Sequence, residues 1–357
     1  MFEEYHINDD FKSRWRKKLL NWYSFNKRDL PWRRKENQNF YRIWISEVML
    51  QQTSVNTVIP YYNEFIKRWP NLESFFSASL DEILYLWQGL GYYQRAKNLF
   101  RAKEFLKKKE ISINSDNLKK LPGIGEYISS AISAILCDES CAVIDGNIKR
   151  ILSRAFNINH LTPFFNKRIS FIAEKLTPPK NNKLYCQSLM DLANLICKPK
   201  IPLCNSCPIN NQCLNKNKLI KTKKIKVKRL EKKMKVGAIF FIRYSDEFLV
   251  EKSTKRLLEG MSSFPVTDFV ELLKGQKKLV IQEKLIKNWL RFYNLRSLFK
   301  FNQEIDHEFS HFHLKLLIVE IKLKERASFK NFVWQDLKKF EGRAISKLME
   351  KVKYKVL

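Results

Sequence analysis

Apolar residues return every third or fourth position in five stretches of the first half of the chain: Phe11–Tyr23, Val55–Trp69, Leu80–Trp87, Ala96–Leu106 and Ile128–Leu136. That spacing lines one face of an α-helix, so residues from about Asp10 to Asn215 are expected to be helices with short connections. Beyond Lys235 the pattern changes. Val236–Ile242 and Glu247–Val250 read as strands around a Ser245-Asp246 turn, Gln282–Leu290 as a helix and Leu316–Leu323 as a strand. Between the two patterns, Lys216 to Lys235 holds eleven lysines or arginines and one glutamate. Such a run is either a strap that tracks DNA or a solvated tether. The chain is therefore divided into a mainly helical domain over residues 1–215, a basic linker over 216–235 and a separate α+β domain over 236–357.

Composition sharpens this division. A length of 357 residues suits two domains, and 45% hydrophobic with 13% aromatic residues is enough to bury a core in each. Sixty-seven basic residues against 36 acidic ones leave a net charge of +31, which favours a polyanion, nucleic acid first among them. Abundant Lys, Asn and Ile also point to an AT-rich genome, which accounts for part of the lysine excess. The acidic, polar start MFEEYHINDD does not read as a secretory signal, and no run of 18 apolar residues occurs. A reducing compartment, the bacterial cytoplasm and its nucleoid, is expected, with no membrane association.

Candidate chemistry lies in four places. Four of the seven cysteines are spaced Cys197-x6-Cys204-x2-Cys207-x5-Cys213, a 17-residue span whose thiolates suit tetrahedral zinc or a [4Fe–4S] cluster. The segment LPGIG at Leu121–Gly125, ahead of an apolar helix, reads as a helix-hairpin-helix turn. There Gly123 and Gly125 let the backbone bend and present N–H groups to a phosphate. Asp145 lies twenty residues past that turn in VIDGNIKRIL; alone, Asp-Gly-Asn is an ordinary turn. The helix after it carries Lys149 and Arg150, which are expected to face a DNA backbone. Glu47 sits among Trp44, Ile45, Val48 and Met49, where partial desolvation would raise a carboxyl pKa and keep it a proton donor near neutrality; alone, a glutamate on a helix is more often simply solvated.

Taken together these motifs resemble the adenine DNA glycosylase (MutY) family of the helix-hairpin-helix, endonuclease III superfamily. RDLPWR at Arg28–Arg33, SEVMLQQT, VIPYY at Val58–Tyr62, LWQGLGYYQRAKNL at Leu86–Leu99, LPGIGEY, VIDGNIKRIL and the cysteine spacing all match, over residues 10–215. The resemblance implies a [4Fe–4S] cluster on Cys197, Cys204, Cys207 and Cys213. It implies that adenine paired with 8-oxoguanine or guanine in duplex DNA is removed by a monomeric enzyme. Glu47 would protonate N7 of the base and help deliver water. Asp145 would stabilise the sugar cation, through a transient covalent adduct, with Asn147 holding it. Gln51 and Tyr92 would fill and wedge the vacated stack, and Arg28, Leu30, Trp32, Arg33 and Gln187 would form the adenine pocket. Relatives that also cut the backbone place a lysine where this chain has Tyr127, and a phenol cannot form an imine, so a monofunctional enzyme is implied.

The C-terminal half is similar to the family's Nudix-like reader of oxidised guanine. HEFSHFHL at His307–Leu314 carries the match, with Phe309 and Ser310 on the base, framed by His307 and His311. The chain departs from the family at EGMSSFP (Glu259–Pro265), at DLAN (Asp191–Asn194) and at Tyr185-Cys186 ahead of Gln187. Three rival readings remain: a thymine-removing mismatch glycosylase, an endonuclease III–type lyase and a lesion-binding module without activity. HEFSH opposes the first, Tyr127 the second, and the joint presence of Glu47 and Asp145 the third.

Overall fold

The computed structural model describes residues 5–216, 232–252, 261–295, 300–309, 311–329, 331–336 and 344–357. Ser310, linker residues 217–231 and Glu259-Gly260 lie outside the described residues. The chain forms two compact units, Met1–Ser77 with Asn98–Ile225, and Ala78–Lys97 with Lys226–Leu357.

In the first unit the helices are α1 (Asp9–Asn26), α2 (Phe40–Leu50), α3 (Val55–Arg68) and α4 (Leu72–Phe76). After α5 (Leu80–Leu86), which groups with the second unit, come α6 (Gln94–Leu106), α7 (Ser115–Leu118), α8 (Glu126–Cys137), α9 (Gly146–Ala155), α10 (Phe165–Leu176) and α11 (Asn182–Leu195). The periodic stretches of the sequence are helical, with ends shifted by a few residues. Starts are capped by polar side chains: Asn8, Asn39, Ser54 and Asn71 each accept a hydrogen bond from an N–H of the first turn. Such caps replace partners the helix itself cannot supply. Trp15, Leu19, Trp44, Tyr62, Phe65 and Phe75 are fully buried. The rings of Phe65, Trp69 and Phe75 stand 4.8 to 5.6 Å apart, mostly edge to face. Two packings matter for the site: α2 lies against α8, and α11 lies against α1, α8 and α9.

In the second unit, the described residues build a seven-stranded sheet ordered β3 (Ser262–Ser263), β2 (Glu247–Lys252), β1 (Lys233–Tyr244), β6 (Phe312–Lys322), β5 (Lys300–Glu308). Two short strands, β4 (Val270–Glu271) and β7 (Val333–Asp336), pair with β1 and β2. β1 runs parallel to β6 and antiparallel to β2 across the Ser245-Asp246 turn. The centre of β1 is buried on both faces, and alternate residues serve different helices. Phe240 and Ile242 face α12 (Lys278–Phe292), where Trp289 stacks on Phe240 at 3.9 Å. Ile239 and Phe241 share the opposite core with Leu348, Met349 and Val352 of α13 (Lys347–Val356). The architecture is the expected one: a helical half followed by an α+β half. Within the second unit, Gln88 hydrogen-bonds Glu350 of α13 and accepts from the Ile345 N–H at 3.4 Å, so the LWQGLGYY segment is held against the C-terminal helix.

Candidate active site

Helix α2 is buried from Ile43 to Met49, and Glu47 is 3% exposed. The sequence suggested partial desolvation; packing of α2 against α8 makes it nearly complete. Burial pushes the Glu47 carboxyl up to about 7. The Tyr127 hydroxyl, on α8, donates to Glu47 Oε2 at 3.0 Å and opposes that rise, whereas the charge of Asp145 adds to it. Burial and both carboxylates keep the proton on Tyr127, so it acts as a donor. An acid near pKa 7 in a dry site is suited to giving a proton at neutral pH and taking one back.

Asp145 is the N-cap of α9, with extended backbone. Its Oδ1 accepts from the Ile148 N–H at 2.7 Å and its Oδ2 from Asn147 Nδ2 at 2.8 Å. Asn147 is held in turn: Arg150 Nη1 donates to its Oδ1 at 3.0 Å, while Arg150 Nε and Nη2 donate to the carbonyls of Cys197 and Ala193, each at 3.0 Å. Arg150 therefore does not face DNA as expected; it is turned inward. The reason is helical geometry, since Asn147 and Arg150 stand one turn apart on the same face and the guanidinium fork matches three converging acceptors. Arg154 does likewise, donating to the carbonyls of Lys198 and Pro199 at 2.7 and 2.8 Å. Lys149 keeps to the outside, bonded to Asn166 at 2.9 Å.

Two of the residues expected around adenine, Arg28 and Arg33, are tied to one buried carboxylate. Asp191 is fully buried and takes Arg33 Nη1 and Nη2 at 2.8 and 2.9 Å, Arg28 Nε at 2.7 Å and the Arg28 N–H at 3.0 Å. Burial works to raise the Asp191 carboxyl, but Arg33 and Arg28 outweigh it and hold it below the usual range. Arg33 thus spends two planar donors on Asp191. Leu30 and Trp32 are buried, with Trp32 edge-on to Tyr62 at 5.4 Å. Gln187, on α11, is buried and accepts from the Tyr23 hydroxyl at 2.8 Å. In the sequence Tyr23 belongs to the apolar face of α1, and nothing local marks the use of its hydroxyl. Gln51 ends α2, one turn beyond Glu47, and is partly exposed.

In the second unit, Tyr92 is 53% exposed at φ +49°, following Gly89 and Gly91, both at positive φ. Arg95 lies over the rings of Trp87 and Tyr92, at 5.3 and 5.6 Å, and donates to the Leu90 and Gly91 carbonyls. Trp87 is a core residue, wholly buried. At the β5–β6 turn, the Phe309 N–H donates to the Phe312 carbonyl at 2.9 Å, and the Phe309 ring sits 4.6 Å from His307 and 4.7 Å from Phe312. Burial lowers the pKa of His307. His311 is exposed.

The two hairpin glycines differ. Gly123 has φ +81°, and an added Cβ would lie 2.6 Å from Asn98 Cβ. Gly125 is the N-cap of α8 with ordinary backbone angles and open space above it. Only the first has a steric need for glycine. Gly123→Ala is expected to cost about 1–3 kcal/mol, read from the urea midpoint, and to weaken duplex binding. Gly125→Ala is expected to leave stability nearly unchanged.

Cys197, Cys204, Cys207 and Cys213 line one cavity, closed by Ile151, Leu192, Ile196 and Ile209. Burial pushes the Cys207 thiol up to about 12, and the other three cysteines add to it. Among the described residues no three histidine, cysteine or carboxylate side chains already stand as a closed coordination sphere. Among the described residues, too, no helix is long and apolar enough to cross a membrane.

Comparison with known proteins bears directly on this geometry. Residues 45–179, which include Glu47, Tyr127 and Asp145, match the model of the HhH-GPD superfamily base excision DNA repair proteins. An adenine DNA glycosylase of Buchnera aphidicola from Schizaphis graminum is 36% identical over 349 residues, covering 94% of this chain and 96% of the relative. The chain belongs to the adenine DNA glycosylase family. Membership makes it a DNA N-glycosylase of base excision repair. The rat adenine DNA glycosylase, 38% identical, aligns over 58% of this chain and 43% of its own length. Among solved structures, a thermostable thymine-DNA glycosylase is similar at TM-score 0.52 and 25% identity, over 58% of this chain and 97% of that one. A trapped endonuclease III–DNA covalent intermediate, at TM-score 0.50 and 18% identity, covers 59% of this chain and 99% of its own and shares the fold.

Proposed function

We propose that this member of the family hydrolyses the N-glycosidic bond of adenine opposite 8-oxoguanine or guanine in duplex DNA and leaves an intact strand with an abasic site. The observation that carries the reading is the carboxyl of Glu47, buried, raised to about 7 and within electrostatic reach of Asp145. The adenine is extruded from the stack, most cheaply at a mismatch. Adenine is a poor leaving group as an anion. Proton transfer from Glu47 to N7 lets it depart neutral as the C1′–N9 bond breaks and the bonding pair stays with the base. Asp145 faces the positive charge left on the sugar, with its oxygens fixed by Ile148 and Asn147. Water adds to C1′ and returns a proton to Glu47. Tyr127 donates a hydrogen bond to the acid and cannot form a Schiff base.

Cys197, Cys204, Cys207 and Cys213 are assigned to a [4Fe–4S] cluster; four thiols lining one apolar cavity suit a cubane, whose iron would offset the thiolate charge that burial there disfavours. Bound there, it would tie the four cysteines of residues 197–213 to one another and hold that loop folded against Ile151 and Arg154 of α9. Lys198, Lys200 and Lys216, exposed beside the cavity, are available to phosphate. We assign the reading of the opposite base to residues 236–357 through His307, Phe309, Ser310 and His311, with 1–215 as the catalytic part and 216–235 as the linker. The mixed sheet flanked by α12 and α13 is compatible with a Nudix-like reader. The enzyme is taken to act as a monomer on nucleoid DNA.

Single-turnover reactions on duplexes with A opposite 8-oxoguanine, A opposite G and T opposite G test the whole reading. Adenine release from the first two is expected, with strand breaks only after alkali. Release of thymine, breaks without alkali, or binding with no release would each overturn it in favour of one rival.

A further inference from the structure

The two ends of the Gln187 carboxamide are chemical opposites, an acceptor oxygen and a donor NH2 group. An amide free to turn over would offer either end to a base and discriminate nothing. Here it is not free. The Tyr23 hydroxyl donates to Gln187 Oε1 at 2.8 Å in a buried setting. Burial raises the Tyr23 pKa, so the phenol keeps the proton it donates. The ring is itself held, because the Arg33 guanidinium lies 5.9 Å from its centroid and Arg33 is fixed on Asp191. Asp191 and Gln187 are four residues apart on α11, hence neighbours on one face. The Gln187 side chain makes no other hydrogen bond among the described residues, and its amide nitrogen is not sealed from solvent. Cys186, next to Gln187 in the chain, feels the charges of both Glu47 and Arg33.

We infer that Tyr23 is a positioning residue for base selection: its hydroxyl fixes the Gln187 amide so that only the NH2 group is offered to the extruded base, which must then present a hydrogen-bond acceptor such as a purine ring nitrogen. This rests on the reading of Gln187 as part of the adenine pocket. The acceptor role of Oε1 toward a phenol leaves the pocket a pure donor at this point. Tyr23→Phe keeps the ring, its volume and the contact with Arg33, and removes only the hydroxyl.

The test is a cycle of Tyr23→Phe, Gln187→Ala and the double variant, measured by single-turnover adenine release. Each substrate carries either adenine or an analogue in which one ring nitrogen is replaced by C–H. Tyr23→Phe is expected to slow adenine release about five- to tenfold, the scale of one oriented neutral hydrogen bond. The double variant should be no slower than Gln187→Ala, and one deaza analogue that is poor for the wild type should lose its handicap in Tyr23→Phe. The fall of rate through pH 7 should stay where it is. If Gln187→Ala slows release while Tyr23→Phe does not, or if the two losses multiply, the positioning role is wrong. If Gln187→Ala has no effect, the pocket reading itself fails.

Discussion

Glu47→Gln is expected to lower adenine release by about 10²–10⁴-fold, the usual worth of a positioned acid, and at the same time to stabilise the protein near and above pH 7. Glutamine keeps the volume and an oxygen to accept from the Tyr127 hydroxyl, but carries no proton to give. The pH profile separates this from a folding defect. Wild-type release should be flat below pH 7 and fall toward tenfold per unit above it, as a carboxyl pushed up to about 7 loses its proton; the residual rate of the variant should lack that limb. The stability sign follows from the same shift. An unfolded Glu47 ionises near its ordinary value of 4.5, whereas the folded one holds its proton until about 7. Between these values the folded state binds the extra proton, so stability declines as pH rises through the window. At roughly 1.4 kcal/mol per pH unit, the loss approaches about 3 kcal/mol. Glutamine has no such loss. A variant that excises adenine at the wild-type rate would remove Glu47 from the chemistry.

Asp145→Asn is expected to be as damaging to the rate, about 10²–10³-fold or more, with almost no structural cost. Asparagine is as good an N-cap as aspartate, and its Oδ1 can still accept from the Ile148 N–H. The change falls on Oδ2, which becomes an NH2 group facing the Nδ2 donor of Asn147. Asn147 must then turn over and give up its bond from Arg150. The charge opposite the developing sugar cation is lost outright. Melting within about 1 kcal/mol of wild type, together with retained duplex binding, would show that the defect is chemical. Unimpaired release would dismiss the role assigned to Asp145.

Much of this was legible in the sequence, and the failures have definite causes. The helices and strands showed because burial of one face imposes a period, whereas Glu47 stood out only through the family resemblance, since a lone glutamate on a helix is usually solvated. The helix that carries Arg150 is legible in the sequence, but the direction of its side chain is not. Which way it turns depends on carbonyls of Ala193 and Cys197, more than forty residues further on. The glycines of LPGIG looked equivalent, yet only Gly123 meets another side chain, that of Asn98. Arg28 and Arg33 are placed at the adenine pocket by resemblance alone, and their shared partner Asp191 lies 163 and 158 residues further on. The stretch Ala78–Lys97 reads as one more part of the helical half, and its grouping with the C-terminal unit depends on partners such as Glu350 and Ile345.

Sequence alone showed many of the helices and the longer strands, a carboxyl set among apolar residues, and four thiols within one short span. Those follow from local rules: period, capping and the composition of a few consecutive positions. The burial of Glu47, the bond it receives from Tyr127, the hold on Asp145 through Asn147 and Arg150, and the bond from Tyr23 to Gln187 come from packing between distant segments. Each of these is a contact between positions far apart in the chain, and a hydrogen bond or a desolvation energy depends on distance in space, which no local pattern encodes.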